Sequence, residues 1–283
     1  MRISILTACL NAEQYIEQTL MSVLGQRGDF EIEYIVIDGG SGDRTVEIVT
    51  DLFSVYESGG ATSPCRKIIT RFFSEKDEGL YDALSKGFAR LTGDVTAYIN
   101  ADDFYLPGAF STVASIFDRY PEVKWLTGMP VCYNAEGQIT DTFLPIGYPG
   151  RLIRKGVFGR MLPHIQQEST FWRSELLRRV NMDAFNKFRL AGDFFLWRSF
   201  SQQTVLYVAH SCLAGYRTRP GQLTEQMRAY EREFDQIAEN SSWLDTLEGK
   251  ILKAANDLLP NKYKRKLNRR LILFKDGSWR KRG

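Results

Sequence analysis

The chain is poor in residues that mark several classes of chemistry. It holds two histidines in 283 residues, His164 and His210, so a histidine-based triad has little material. No Gly-x-Ser-x-Gly elbow is present to supply a serine nucleophile. Four cysteines, at 9, 65, 132 and 212, stand too far apart for a zinc or redox motif. Cys9 and Cys132 lie in apolar runs, where a thiol packs as a small hydrophobe. Free thiols in a reducing cytoplasm are therefore expected. No stretch approaches the roughly 18 apolar residues of a membrane span. The opening ten residues carry one charge and a short apolar core but no cleavage site, and they read as a first buried strand rather than a signal peptide. A Gly-x-Gly-x-x-Gly turn does not follow that strand, and a P-loop is missing. A nicotinamide-binding Rossmann enzyme and a P-loop enzyme are therefore excluded.

What remains is an ordinary globular mix, 43% apolar and 25% charged, of a size for one large α/β domain. The first 125 residues alternate two periodicities. Apolar runs at 3–8, 33–38, 67–73 and 95–99 read as buried strands. Between them Ile16, Leu20, Val23 and Leu24, then Val46, Val49 and Leu52, then Leu80, Leu84, Phe88 and Leu91 recur at helical spacing. Asn11 is placed to cap the first helix and Pro107 to open the fourth. Such alternation predicts a doubly wound, mostly parallel sheet. The second half predicts a smaller mixed region. Strands are expected at 124–133 and 138–143 around the turn at 134–137, and at 168–172, 204–209 and 212–216. Helices are expected at 191–200 and, as one long element, at 225–247. Residues 57–64 read as a surface loop. The boundaries expected are 1–125 for the alternating half, 126–248 for the mixed half of the same domain, and 249–283 for a basic amphipathic tail.

In parallel sheets, ligands bind beyond the carboxyl ends of the strands. Three of these ends carry acids: Asp38, the Glu75/Asp77 pair, and Asp102/Asp103. Neighbouring carboxylates repel unless positive charge or hydrogen bonds intervene. A divalent cation holding a diphosphate supplies such charge, and Mg²⁺ or Mn²⁺ favours one or two carboxylates with phosphate oxygens. The plainer alternative is that each Asp caps the helix after it.

Four segments, in order, carry a family resemblance: Thr7-Ala8-Cys9-Leu10-Asn11, Ile37 to Thr45 (IDGGSGDRT), Ser74 to Ala83 (SEKDEGLYDA) with Lys86-Gly87, and Asn100-Ala101-Asp102-Asp103. Together with Gln166 to Trp172 (QQESTFW) and Ala191 to Trp197 (AGDFFLW), they resemble family 2 glycosyltransferases of the GT-A fold, of the bacterial polysaccharide-biosynthesis type. The resemblance covers about residues 1–220. It implies a metal-dependent, inverting transfer of a sugar from a nucleoside-diphosphate-sugar to a glycan or lipid-linked saccharide. It places Thr7, Asn11, Asp38, Asp77, Lys86, Asn100, Ala101 and Asp102 around the nucleotide-sugar, Asp102 on the metal, and Asp193 as general base. His164, Glu168 and Trp172 fall on the acceptor side. Some GT-A enzymes use a late histidine as a metal ligand, which makes His210 a candidate. Asn100 departs from the family's Asp-x-Asp by carrying no charge, and Ser85 replaces a frequent Asn.

Other readings stand beside these. Asp193 also fits the start of a helix with an aromatic core face, and Trp172 and Trp197 fit a core. His164 fits a surface loop, and His210 a hydrogen-bonded strand end. Arg217 and Arg219 suit phosphate charge or a solvated turn. From Lys250 onward, twelve Lys/Arg face two Asp. Leu267, Leu271, Ile272, Phe274 and Trp279 interleave with that charge, which suits an anionic membrane surface and a peripheral place on the inner face of the plasma membrane. A solvated helix is the alternative. No nucleic-acid module accompanies the charge, so no nucleic-acid partner is expected. A non-catalytic binding protein of the same fold remains a rival. A sugar-phosphate nucleotidyltransferase is a weaker one, because no Gly/Arg-rich loop follows the first strand.

Overall fold

β-Branched and aromatic runs alternating with amphipathic nine- to thirteen-residue segments dictate the first half. In a computed structural model describing residues 1–58, 63–219 and 227–282, that half runs β1 (Arg2–Cys9), α1 (Ile16–Leu24), β2 (Gly28–Asp38), α2 (Thr45–Glu57), β3 (Cys65–Ser74), α3 (Leu80–Phe88), β4 (Val95–Tyr98), β5 (Phe104–Tyr105) and α4 (Ala109–Arg119). The second half runs β6 (Trp125–Met129), β7 (Val131–Tyr133), β8 (Ile139–Thr142), α5 (Gly150–Arg154), α6 (Val157–Arg160), β9 (Thr170–Arg173), α7 (Met182–Phe185), α8 (Gly192–Ser201), β10 (Leu206–Cys212), β11 (Ala214–Arg217), α9 (Met227–Ile237), α10 (Trp243–Leu258), α11 (Asn261–Leu267), β12 (Leu271–Lys275) and β13 (Ser278–Lys281).

Among the described residues, nine strands form a central sheet in the order β13-β12-β10-β6-β9-β4-β1-β2-β3, and β5-β11-β7-β8 form a smaller mixed sheet. β4, β1, β2 and β3 are consecutive parallel neighbours. β9 is wedged antiparallel between β4 and β6. Alternate residues of β1 and β2 feed opposite cores. Ile3, Ile5, Ile32, Tyr34 and Val36 join α1 and α4 on one face. Leu6, Ile35 and Ile37 join Leu84, Trp172, Trp197 and Phe200 on the other. Burial on both faces explains why these strands read as continuous apolar runs.

Several local expectations change. The strand expected at 124–133 breaks at Pro130, which lacks the ladder N–H, so β6 and β7 enter different sheets. The long helix expected at 225–247 is two helices. Ser242 starts α10 with a reciprocal capping box to Asp245, a signal stronger than the continuing helical period. Residues 225 and 226, where that helix was to begin, and residues 59–62 of the expected loop lie outside the described residues. Asn11 does not cap α1, which begins at Ile16 after Tyr15; its side chain accepts from Gly42 N–H at 2.9 Å instead. α4 begins at Ala109 with Gly108 as its cap. The 248/249 boundary falls inside α10. Within the tail, β12 pairs parallel with β10, so Leu271 and Ile272 are core residues. All four cysteines are free thiols.

Candidate active site

The sheet order places the ends of β4, β1, β2 and β3 side by side, and the loops after β1, β2 and β3 are bonded to one another. Asp38 is fully buried. Its carboxylate accepts the N–H groups of Gly40 and Ser41 at 3.1 Å, the Ser41 hydroxyl, and the Ser74 hydroxyl at 2.7 Å. Asn11 ties the β1 loop to the same turn, its own N–H donating to Ser41 Oγ at 2.8 Å. Asp77 accepts Gly79 N–H at 2.9 Å and packs on Gly39, where an added Cβ would sit 2.6 Å from Asp77 Oδ2. Lys86 pairs with Asp82 at 3.0 Å and donates to the Lys76 carbonyl at 3.2 Å. Thr7 turns inward. It is fully buried and shares a 3.0 Å hydrogen bond with Tyr34, so its side chain supports the strand rather than facing a ligand.

The turn after β4 divides its labour. Ala101 offers its carbonyl to Thr19 at 2.9 Å. Asp103 is buried and accepts the Arg217 N–H at 2.9 Å and Asn100 Nδ2 at 3.2 Å, so it fastens β11 to the turn instead of capping α4. Burial and the nearby Glu168 and Asp102 charges hold the Asp103 carboxyl far above its usual range. Asp102 pairs with Arg219 at 2.7 Å, and its carbonyl accepts Arg217 Nε at 3.0 Å. The acids at the strand ends therefore have separate partners. Among the described residues no three His, Cys, Asp or Glu gather as a metal cage. His210 is not part of such a cluster with Asp102 and Asp103; it lies on β10, where burial and the Arg265 charge lower its pKa. The turn that carries Arg217 and Arg219 is described as far as Arg219, and residues 220 and 221 lie outside the described residues.

A cavity of about 430 Å³ opens beside this turn. Asn100, His164, Gln167, Glu168 and Asp193 line it together with Tyr81, Tyr98 and Tyr230. Asp193 stands in the first turn of α8, where the helix dipole favours the anion. Burial outweighs that, and its carboxyl is pushed up to about 6. The segment before it is clamped from two sides. Glu233 of α9 accepts the N–H groups of Arg189, Leu190 and Ala191 at 2.8–2.9 Å. Tyr81 of α3 donates to the Leu190 carbonyl at 2.9 Å. Gly192 lies against the Tyr81 ring, where a Cβ would come within 2.5 Å.

Glu168 is buried, and its Oε1 and both amide atoms of Gln167 have no hydrogen-bond partner among the described residues. Desolvation, with the Asp193 and Asp102 charges, pushes the Glu168 carboxyl up to about 8. His164 Nδ1 lies 3.1 Å from the Tyr230 hydroxyl, and burial lowers its pKa, favouring neutral imidazole. Trp172 is not at the cavity. It is fully buried and packs on Tyr98, Trp197 and Phe200. Tyr230 and Glu233 carry no signal in the sequence, because α9 (MRAYEREFDQI) has the charge pattern of a solvated helix, and Tyr81 lies in the SEKDEGLYDA segment without a role assigned to it there.

This is a nucleotide-diphospho-sugar type of architecture, with loops at adjacent parallel strand ends and a cavity that Asn100 of one of them shares with Asp193. The chain belongs to glycosyl transferase family 2, whose family-wide sequence pattern matches residues 4–218. An uncharacterized glycosyltransferase of Mycobacterium tuberculosis is 36% identical over 101 residues, 36% of this chain and 34% of that protein. The chain thus matches about a third of the length of such relatives. A PGL/p-HBAD biosynthesis glycosyltransferase of Mycobacterium bovis is 34% identical over 171 residues, covering 57% of this chain and 62% of that protein. Solved structures give the GT-A fold. S. aureus TarS 1-349 in complex with UDP-GlcNAc aligns over 95% of this chain and 71% of that one, with TM-score 0.55 and 16% identity. Mannosyltransferase PcManGT from Pyrobaculum calidifontis, in complex with GDP-Man and Mn²⁺, aligns over 94% and 72%, with TM-score 0.57 and 14% identity.

Proposed function

We propose that this family 2 glycosyltransferase transfers a sugar from a nucleoside-diphosphate-sugar to a saccharide or lipid-linked saccharide with inversion, Asp193 acting as general base. The observation that carries the proposal is the position of Asp193: on the cavity wall, half-buried, with a carboxyl near pH 6 in basicity. The acceptor hydroxyl oxygen forms the new bond to the anomeric carbon. The bond from that carbon to the diphosphate oxygen breaks, its electron pair leaving on the diphosphate. The hydroxyl proton passes to an Asp193 oxygen. A base poised near the working pH is the efficient choice for that transfer. Glu233 and Tyr81 position the base by holding the backbone that leads into it. Glu168, protonated at neutral pH, offers a hydrogen bond to an acceptor hydroxyl.

The donor sits over the bonded strand-end loops, against Asn11, Asp38, Asp77, Lys86 and the Asn100–Asp102 turn. Nucleotide-sugar complexes of proteins with this fold, TarS with UDP-GlcNAc and PcManGT with GDP-Man, support that placement. The turn fits a divalent cation carried in with the diphosphate, since Mg²⁺-like ions take one or two carboxylates and complete their shell with phosphate and water. Asp102 would hold it, and Arg219 and Arg217 beside it add charge for the phosphates. When bound, the cation supplies Lewis-acid stabilisation of the leaving diphosphate.

The test is Asp193→Asn. Turnover with a verified donor should fall about 10²–10⁴-fold, with UDP or GDP affinity by calorimetry unchanged. Unchanged turnover sinks the base assignment, and a wild-type chain that binds nucleotide yet turns over no donor favours a non-catalytic binding protein. Nucleotide binding should tighten with Mn²⁺, and equal affinity without it argues against Asp102 as a ligand.

A further inference from the structure

Helix α10 has a packed side and an exposed apolar side. At about 100° per residue, Asp245, Glu248, Gly249, Leu252, Ala255 and Asn256 form one arc. This arc faces the body of the protein, with Gly249 against Val157 and Met161. Trp243, Leu244, Leu247, Ile251 and Leu258 form a second arc that faces outward, with Trp243 73%, Ile251 60% and Leu258 79% exposed. Tyr263 and Leu267, one turn apart on α11, are exposed as well. Large apolar side chains gathered on one exposed arc of a helix mark a contact surface.

The charge around the patch says what it meets. The acids of α10 are already engaged by cations of this chain: Asp245 and Glu248 by Arg151, and Asp257 by Lys253. Lys250 on α10, Lys262, Arg265 and Lys266 on α11, and Arg269 just after it are all exposed.

We infer that α10 and α11 together dock the protein on an anionic lipid bilayer, the apolar arc entering the headgroup boundary and the basic residues meeting lipid phosphates. Leu252 and Asn256, on the inner arc, wall a small pocket with Phe143 and Pro163, and those two residues also wall the large cavity. Docking by this face therefore sets α10 between the bilayer and the wall of the acceptor cavity. That consequence rests on the glycosyltransferase reading; the docking itself does not.

The experiment is flotation of the full chain with vesicles of phosphatidylcholine alone or mixed with phosphatidylglycerol. Binding to the anionic vesicles should exceed binding to the neutral ones and fall with salt. Leu247→Glu with Ile251→Glu, both at exposed positions, should weaken it about tenfold or more. Lys262→Glu with Lys266→Glu should weaken it further than salt alone, each lost charge counting for about fivefold. Trp243 emission should shift to the blue on binding and be quenched by brominated lipid. No binding to anionic vesicles, binding indifferent to Leu247→Glu/Ile251→Glu, or a dimer in the absence of lipid that Ile251→Glu dissociates would each overturn the inference. Turnover on a water-soluble acceptor should be unaltered in the Leu247→Glu/Ile251→Glu variant, so loss of docking and loss of activity are read separately.

Discussion

The two sides of the site solve the problem of buried carboxylates in opposite ways. On the donor side, Asp38 is surrounded by backbone N–H and hydroxyl donors, and it fixes the loop geometry before any nucleotide arrives. On the acceptor side, Asp193 receives a bond from its own turn, Glu168 has an oxygen with no partner among the described residues, and both carboxyls are pushed up by burial. A satisfied carboxylate is architecture. An unsatisfied one in a cavity is held ready for a proton or a hydroxyl group.

The largest effect should come from the acceptor side. Beyond the turnover loss in Asp193→Asn, the wild-type kcat/KM should rise with pH and level off above about 6. The sign follows from the role: the base works ionised, so protonation below that pKa removes activity. A pH–rate profile flat through that region would break the contrast. Asp38→Ala should act on stability instead. It removes the acceptor that the Gly40 and Ser41 N–H groups and the Ser41 and Ser74 hydroxyls share and should cost about 1–3 kcal/mol in denaturant unfolding, with donor affinity falling as the turn loosens. An Asp38→Ala protein as stable as wild type would mean the loop is not held as described.

The same contrast explains what the sequence made legible. The donor side is local: each acid follows directly on an apolar run, so strand end, turn and ligand residues are read together, and sheet order makes them neighbours. For Thr7 the same end of β1 is less legible, because alternation along a strand decides which way a side chain points, and Thr7 points at Tyr34. The acceptor side is assembled from distant pieces. Asp193 was found through its AGDFFLW segment, but its clamp comes from α3 and from α9, about 110 residues before and 40 after. Trp172 stands four residues from Glu168, yet the β9 register buries it in the aromatic core. The tail's charge was legible, whereas the pairing of β12 with β10, which buries Leu271 and Ile272, depends on contacts some 63 residues apart.

Glu233→Gln sharpens the comparison at a smaller scale. The amide retains one acceptor oxygen for the three N–H groups that the carboxylate now shares. Turnover should drop about tenfold, in line with slight misplacement of a catalytic group, while nucleotide affinity stays unchanged. A purely structural role would lower thermal stability and leave the kcat of the surviving folded protein intact.

Glu168→Gln is the smallest and most diagnostic change. The folded pKa of Glu168 is raised to about 8, against about 4.3 in an unfolded chain. The folded state therefore holds a proton that the unfolded state gives up across that window. Stability from this group is present below the unfolded value and is lost as pH rises toward the folded one. Glutamine is uncharged throughout and of similar shape, so the variant should match wild type near pH 4.5 and become the more stable of the two as pH approaches 8. Paired urea melts at several pH values measure the difference. Parallel curves for the two proteins would mean that Glu168 is ionised in the fold, and the distinction between a satisfied donor side and an unsatisfied acceptor side would then fail at its clearest residue.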